Sequence, residues 1–328
     1  MRIGRPLLKL PVRFSGDALA REVSALPANA WMDHPAKLDG NIAVPLVSPR
    51  GALTNDAFGP MGPTPWLGHC RYILEIMQAL DCTWGRSRLM GLSAGAQVPE
   101  HVDVHYYWRT HLRVHIPVIT NPDVAFTGAG EAVHMAAGEC WILDSFFPHS
   151  VANRGTQTRI HLVLDTVGSA YLWDLVHAAR AQNAEEQLIE PGQTMLRPMG
   201  FEQINAPAIM SPWEMKAHVT YISDWTDEQA GREEVLALVD RFVMAWSGTW
   251  ARFGPSDAGL ALYAGHLAEM EKALSTMKGP PVTMRNGLLL VDTIGHFILG
   301  NAIAPAMMQR VQRAPAPGLG LAPYRKAL

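Results

Sequence analysis

Residues 112–120 read LRVHIPVIT, and residues 139–166 read ECWILDSFFPHSVANRGTQTRIHLVLDT. In the first run Leu112, Val114, Ile116 and Val118 alternate with Arg113, His115 and Pro117. A period of two is the mark of a strand with two unlike faces. LRVHIPVIT, VAFT, AVHM, ECWILD, HSVAN and TRIHLVLD are each strand-like and are separated by Gly, Pro and Asn. Many short strands at even spacing predict an antiparallel sandwich or jelly roll over about 86–166.

Outward from this block the texture changes. Toward the N-terminus, 15–26 and 66–80 are helix candidates. The second shows Leu67, Ile73, Ile76, Met77 and Leu80 mostly at three- and four-residue intervals. Between them GALTNDAFGPMGPTPW (51–66) is punctuated by Gly and Pro and reads as an ordered loop or lid. Toward the C-terminus, Val235, Leu238, Val239, Phe242, Val243 and Trp246 trace one helical stripe. Leu260, Tyr263, Leu267, Met270, Leu274 and Met277 trace another. The segment 287–299 is apolar but carries Asp292 and His296, so it reads as a buried helix. The Pro/Gly-rich stretch after Pro305 predicts a loosely held tail. The expected organisation is a mainly β core with flanking helices over 1–175 and a helical C-terminal region over 176–328, a candidate surface for a homodimer.

Composition sets bounds. Nearly half of the 328 residues are hydrophobic, which suits a large buried core. The formal net charge of -3 gives no basic excess for a nucleic-acid binder. No run reaches the roughly 20 apolar residues of a membrane helix, and the first residues do not form a signal peptide. Three widely spaced cysteines, Cys70, Cys82 and Cys140, predict neither a disulfide framework nor a zinc-thiolate site, and a reducing cytoplasm is the expected location.

The chemistry begins at His-Val-Asp, 101–103. On a strand, His101 and Asp103 present an imidazole and a carboxylate to one side. His149, opening a strand after a Pro turn, is the candidate third ligand. Two histidines and one carboxylate on one face of an octahedral ion leave the opposite face open, the arrangement of non-haem Fe(II) oxygen chemistry. HxD alone arises often by chance. Arg159 on the following strand strengthens the case, because an inward arginine requires an anionic partner, and its fork suits a carboxylate.

The joint pattern of HxD, RxH (Arg113, His115), a GE…D turn, HxVxN and then Arg159, spread over about 89–165, resembles the aspartyl/asparaginyl β-hydroxylase family. Its bacterial amino-acid-hydroxylating branch, which includes proline cis-4-hydroxylases, is the nearest in pattern. The resemblance implies a double-stranded β-helix (cupin-like) fold and use of Fe(II), 2-oxoglutarate and O2 to hydroxylate a free amino acid or an amino-acid residue in a peptide or protein. By the same resemblance His101, Asp103 and His149 hold iron and Arg159 takes the C5 carboxylate of 2-oxoglutarate. Arg113 and His115 bind either the C1 end of the co-substrate or a substrate carboxylate. The animal enzymes that name the family lack the carboxylate ligand, as do halogenases of related fold, so Asp103 favours hydroxylation over halogenation.

Other readings compete. Alternating polar residues such as Arg113 and His115 are commonly the solvated face of a sheet. His105 and His111 read as structural histidines, Trp108 and Trp141 as core or rim aromatics, and Asp144 as a turn former or orienting group. The alternative functions are a zinc-dependent hydrolase, which has no need of Arg159, and a non-catalytic metal- or ligand-binding β-barrel.

Overall fold

The computed structural model describes residues 3–33, 38–182 and 184–313 of the chain. It divides into two compact units, 1–206 with 286–288, and 207–285 with 289–328.

The first unit begins with β1 (Leu7–Phe14), α1 (Gly16–Ser24), β2 (Met32–Asp33), β3 (Asn41–Pro49), β4 (Met61–Pro63) and α2 (Arg71–Leu80). The β-rich block follows: β5 (Thr83–Leu92), β6 (Gln97–His101), the short α3 (Tyr106–Thr110), β7 (Leu112–Ile119), β8 (Val124–Gly128), β9 (Glu131–Val133), β10 (Glu139–Leu143), β11 (His149–Asn153) and β12 (Arg159–Gly168). The unit then adds α4 (Ala170–Ala181) and β13 (Gln187–Ile189). Among the described residues one sheet runs β13-β1-β10-β7-β12-β5-β3-β2, with β4 on β3, and a smaller sheet runs β6-β11-β8-β9. This two-sheet arrangement is the sandwich or jelly roll that the strand pattern predicts and the double-stranded β-helix that the family resemblance implies.

The large sheet has two faces of opposite character. Leu112, Val114, Ile116 and Val118 of β7, Leu162 and Leu164 of β12 and Leu89 of β5 are buried in one apolar cluster. With them lie Leu19 and Val23 of α1 and Ile73, Ile76, Met77 and Leu80 of α2. Each such side chain contributes roughly 1.5–3 kcal/mol by leaving water. The alternate residues are polar and also buried: Arg86, Arg88, His115, Arg159, His161 and Asp165. The face opposite the helices is therefore the lining of an interior cavity, and the reading of Arg113 and His115 as a solvated face does not hold.

One glycine fixes how β10 enters the sheet. Gly138 sits at φ +80°, and a Cβ there would lie 1.9 Å from the carbonyl oxygen of Phe14. Its own carbonyl accepts from Phe14 N at 2.8 Å while its N–H donates to Pro117 O at 2.9 Å, so the turn locks β1 and β7 on either side of β10.

The second unit is helical: α5 (Pro212–Ser223), α6 (Arg232–Phe253), α7 (Leu260–Thr276), α8 (Leu290–Phe297) and α9 (Pro305–Arg313). Ser211 caps α5 by accepting from Glu214 N at 3.2 Å, with Pro212 in the first turn. The two expected stripes meet where Trp246 lies 4.4 Å from Tyr263, centroid to centroid. Residues 305–313 form a helix rather than a loose tail, and 314–328 lie outside the described residues. All three cysteines are buried and free, and among the described residues no helix is long and apolar enough to cross a membrane.

Candidate active site

Sheet pairing brings the distant histidines together. β11 runs antiparallel to β6 with His149 opposite His101, and the two rings stand 4.3 Å apart. Asp103 lies two residues beyond the end of β6, tied to the 144–148 turn by its N–H, which donates to Ser145 O at 3.0 Å. One ligand atom from each of His101, Asp103 and His149 lies within 4.8 Å of the others.

Hydrogen bonds leave the correct atoms free. His101 Nδ1 is 2.8 Å from Pro99 O, and His149 Nδ1 is 2.9 Å from Phe147 O. A carbonyl only accepts, so each Nδ1 carries the proton and each Nε2 keeps its lone pair, as a metal ligand requires. Burial pushes the His149 pKa down to about 4, which keeps the ring neutral and able to ligate at pH 7. For Asp103, burial favours the neutral acid, but Arg113 and the two histidines outweigh it, and the carboxyl sits below its ordinary range. The turn carrying His149 is braced by Asp144, whose Oδ1 accepts from Phe146 N at 3.3 Å, and by Asn286, whose Nδ2 donates to Phe146 O at 3.1 Å.

The three residues open into a cavity of about 500 Å³ lined by the polar face of the large sheet. At one end stands Arg159, 5% exposed. Its Nη2 donates to His161 Nδ1 at 2.6 Å, its Nε has no partner, and among the described residues it has no ion pair. Burial alone lowers its pKa to about 9. Both ring nitrogens of the neighbouring His115 and Nε2 of His161 are likewise buried without partners. Unsatisfied buried donors around an unpaired cation are costly, and an incoming carboxylate would satisfy them.

Toward the other end of the cavity Arg113 bridges two acids, donating from Nη1 to Asp103 Oδ2 at 2.7 Å and from Nε to Asp165 Oδ1 at 2.9 Å, with Nη2 left over. Arg86 approaches Asp165 Oδ2 at 3.5 Å and donates to Asn55 O at 3.0 Å, and Arg88 donates to Asn55 Oδ1 at 3.1 Å. The ring of Trp108 faces Arg86 and Arg113 at 5.6 and 5.5 Å. Arg86, Arg88, Asp165 and His161 were not singled out from sequence, whereas Asn55 lies in the stretch read as an ordered loop or lid. The signal for the first two was present, because Arg86 and Arg88 alternate on β5 as Arg113 and His115 do on β7.

His111 and His105 are structural. His111 Nε2 is 3.0 Å from both Glu202 oxygens, and His105 caps α3 by accepting from Tyr107 N at 3.3 Å. Trp141 donates to Glu139 at 3.0 Å.

Comparison with known sequences bears on the family resemblance over the middle of the chain. Residues 67–168 match the aspartyl/asparaginyl β-hydroxylase family. The resemblance read from the motifs is thereby borne out over that stretch, which holds His101, Asp103, His149 and Arg159. A relative over the middle of the chain, L-proline cis-4-hydroxylase of Rhizobium meliloti (strain 1021), is 28% identical over 134 residues, 40% of this chain and 48% of that protein. The chain thus spans about half the length of the curated relative it matches. Among solved structures, a 2OG-Fe(II) oxygenase family oxidoreductase from Burkholderia pseudomallei aligns over 47% of this chain and 78% of its own, with 15% identity and a TM-score of 0.34. A Pseudomonas putida prolyl-4-hydroxylase aligns over 50% and 92%, with 11% identity and a TM-score of 0.34.

Proposed function

We propose that the first unit is an Fe(II)- and 2-oxoglutarate-dependent hydroxylase acting on a C–H bond of an amino-acid-type substrate. The overall reaction combines substrate, 2-oxoglutarate and O2 into hydroxylated substrate, succinate and CO2. The observation that carries the reading is the pairing of two features in one cavity. These are a His-Asp-His face with both Nε2 atoms free, and a buried arginine, Arg159, lacking a carboxylate.

His101, Asp103 and His149 are the residues that would hold iron, and with 2-oxoglutarate and O2 the iron centre supplies the oxidant for C–H cleavage. Arg159 orients the co-substrate by taking its distal carboxylate in a two-pronged contact, helped by the His161 Nε2–H and the His115 ring. Arg113 holds Asp103 in place through Nη1, with Asp165 as counterweight, so the carboxylate ligand is fixed before metal arrives. Arg113 Nη2 remains for the C1 end of the co-substrate or for a substrate carboxylate. Leu92, Phe126, Leu143 and Val151 contribute apolar walls to the same cavity. A zinc hydrolase would leave Arg159 buried without purpose.

The test is spectroscopic. Anaerobic protein given Fe(II) and 2-oxoglutarate should show the weak visible charge-transfer band of a chelated 2-oxo acid, and His149→Ala should lack it. O2 admission should then yield succinate. Iron bound without any band refutes the proposal.

A further inference from the structure

The cavity carries more positive charge than the proposed cofactors neutralise. Four guanidiniums, Arg86, Arg88, Arg113 and Arg159, face two carboxylates, Asp103 and Asp165. On the hydroxylase reading, Arg159 is matched by the distal carboxylate of 2-oxoglutarate. Asp103 and the other carboxylate of 2-oxoglutarate together match the two charges of Fe(II). Three guanidiniums then share Asp165 alone, an excess of two positive charges.

That excess is buried. Arg86 and Arg88 are 6% and 5% exposed. Arg113 holds Asp165 Oδ1 at 2.9 Å, and Arg86 reaches Oδ2 only at 3.5 Å. Arg88 donates to the amide oxygen of Asn55 and has no ion pair among the described residues. At neutral pH an arginine keeps its proton in such a position, so the missing charge must come from what binds. Arg88 and Arg86 sit at i and i+2 on β5, side by side on the cavity face, and both touch Asn55. The Trp108 ring lies against the Arg86 guanidinium. Two forks on one strand with a flat aromatic beside them make a carboxylate cradle. An ammonium group, by contrast, finds no free acid: the one carboxylate among the cavity-lining residues, Asp103, is committed to the metal face and to Arg113.

We infer that the substrate is a dianion without a free ammonium group, a small dicarboxylic acid of the N-acylated acidic amino-acid type, with one carboxylate held between Arg88 and Arg86. The inference rests on the hydroxylase reading for the charges assigned to the metal and to 2-oxoglutarate.

The experiment uses matched ligands on the full chain loaded with Mn(II) and saturating 2-oxoglutarate, so that dicarboxylates cannot occupy the co-substrate position. Calorimetric titration compares N-acetyl-L-glutamate with N-acetyl-L-glutamine, N-acetyl-L-aspartate with N-acetyl-L-asparagine, and L-glutamate and L-proline with both pairs. Within each pair shape is kept and one charge is removed. A dianion should bind about tenfold or more tightly than its singly charged isostere, the effect of one buried charge-assisted contact. L-glutamate should bind more weakly than its acetylated form, and Arg88→Gln should bring a pair to within about threefold. Equal affinities within both pairs, no binding of either dianion, or tighter binding of L-proline than of every dianion overturns the inference. The Fe(II)/2-oxoglutarate band is recorded on the same batch of apo-protein, loaded anaerobically with Fe(II) in place of Mn(II). A band without dianion preference sinks the inference alone, whereas a missing band sinks the hydroxylase reading.

Discussion

Replacing Arg159 with methionine should stabilise the metal-free protein while destroying its response to 2-oxoglutarate. A fall in the Arg159 pKa from its ordinary value to about 9, caused by burial, corresponds to about 5 kcal/mol of unfavourable charge burial. The sign follows from the proton count. Below about 9 the guanidinium is charged in both folded and unfolded chains, so the whole cost is present at neutral pH. It is relieved only as pH rises above about 9 toward the ordinary arginine range. Methionine keeps a long unbranched chain in the site. It forfeits the bond to His161, about 1 kcal/mol, and adds packing mismatch of about 1–2 kcal/mol. The net is a gain of about 2 kcal/mol, or roughly 4–8 °C in Tm for a unit of this size. Wild-type protein with Mn(II) should gain about 2.7 kcal/mol from 2-oxoglutarate at a hundred times its Kd. Arg159→Met should gain nothing, with KM for 2-oxoglutarate raised about a hundredfold or more. Differential scanning fluorimetry with and without 2-oxoglutarate reads both effects. A variant that melts below wild type yet keeps its 2-oxoglutarate shift would show that Arg159 is an ordinary structural arginine, and the reasoning would be refuted.

Acid stability should report His149. Its proton goes on near 6.5 in the unfolded chain but near 4 in the folded one, so metal-free protein loses about 3 kcal/mol as pH falls from 6.5 to 4. His149→Phe should flatten that stretch of the urea-unfolding profile by about one proton, and an unchanged profile would contradict the placement. Asp165 is drawn down to about 2 by Arg113 and Arg86 against the upward push of burial. Asp165→Asn should cost about 3–5 kcal/mol at pH 7 by stranding those cations, and a cost under about 1 kcal/mol would mean they are otherwise neutralised. Gly138→Ala should cost about 3 kcal/mol or more, since its Cβ would overlap Phe14 O, and near-wild-type stability would show that the β1–β10 turn yields easily.

The sequence made the middle of the fold legible because its strands alternate cleanly. Hydrophobic positions on β7 and β12 identify the face that helices cover, and HxD with a later His-x-Val-x-Asn gives the ligands their addresses. β1 and β3 escaped notice for different reasons. β1 alternates strictly, with Leu8, Leu10, Val12 and Phe14 buried, but Pro11 in its middle counts against a strand, whereas β3 is buried on nearly every residue and shows no alternation. Arg86 and Arg88 escaped for a related reason. Charged residues on a strand are read by default as solvated, and only the position of the smaller sheet makes that face an interior. Asp165 and Asn55 acquire meaning only through those arginines, which no local pattern links to them.

The side chain of His101 is 42% exposed, while His149 beside it is 3% exposed. The centre therefore opens to bulk water on the His101 side, with all three ligands already braced by neighbours that need no metal. Such a centre should exchange its ion without unfolding, and a chelator should strip it in seconds to minutes rather than hours. Occupancy then follows the free concentrations around the protein, weighted by the intrinsic order in which imidazole and carboxylate prefer Zn(II), Ni(II) and Cu(II) to Fe(II). On the iron reading, a preparation carries the history of its medium, and chelation followed by reloading with Fe(II) should restore a batch that has taken up another ion.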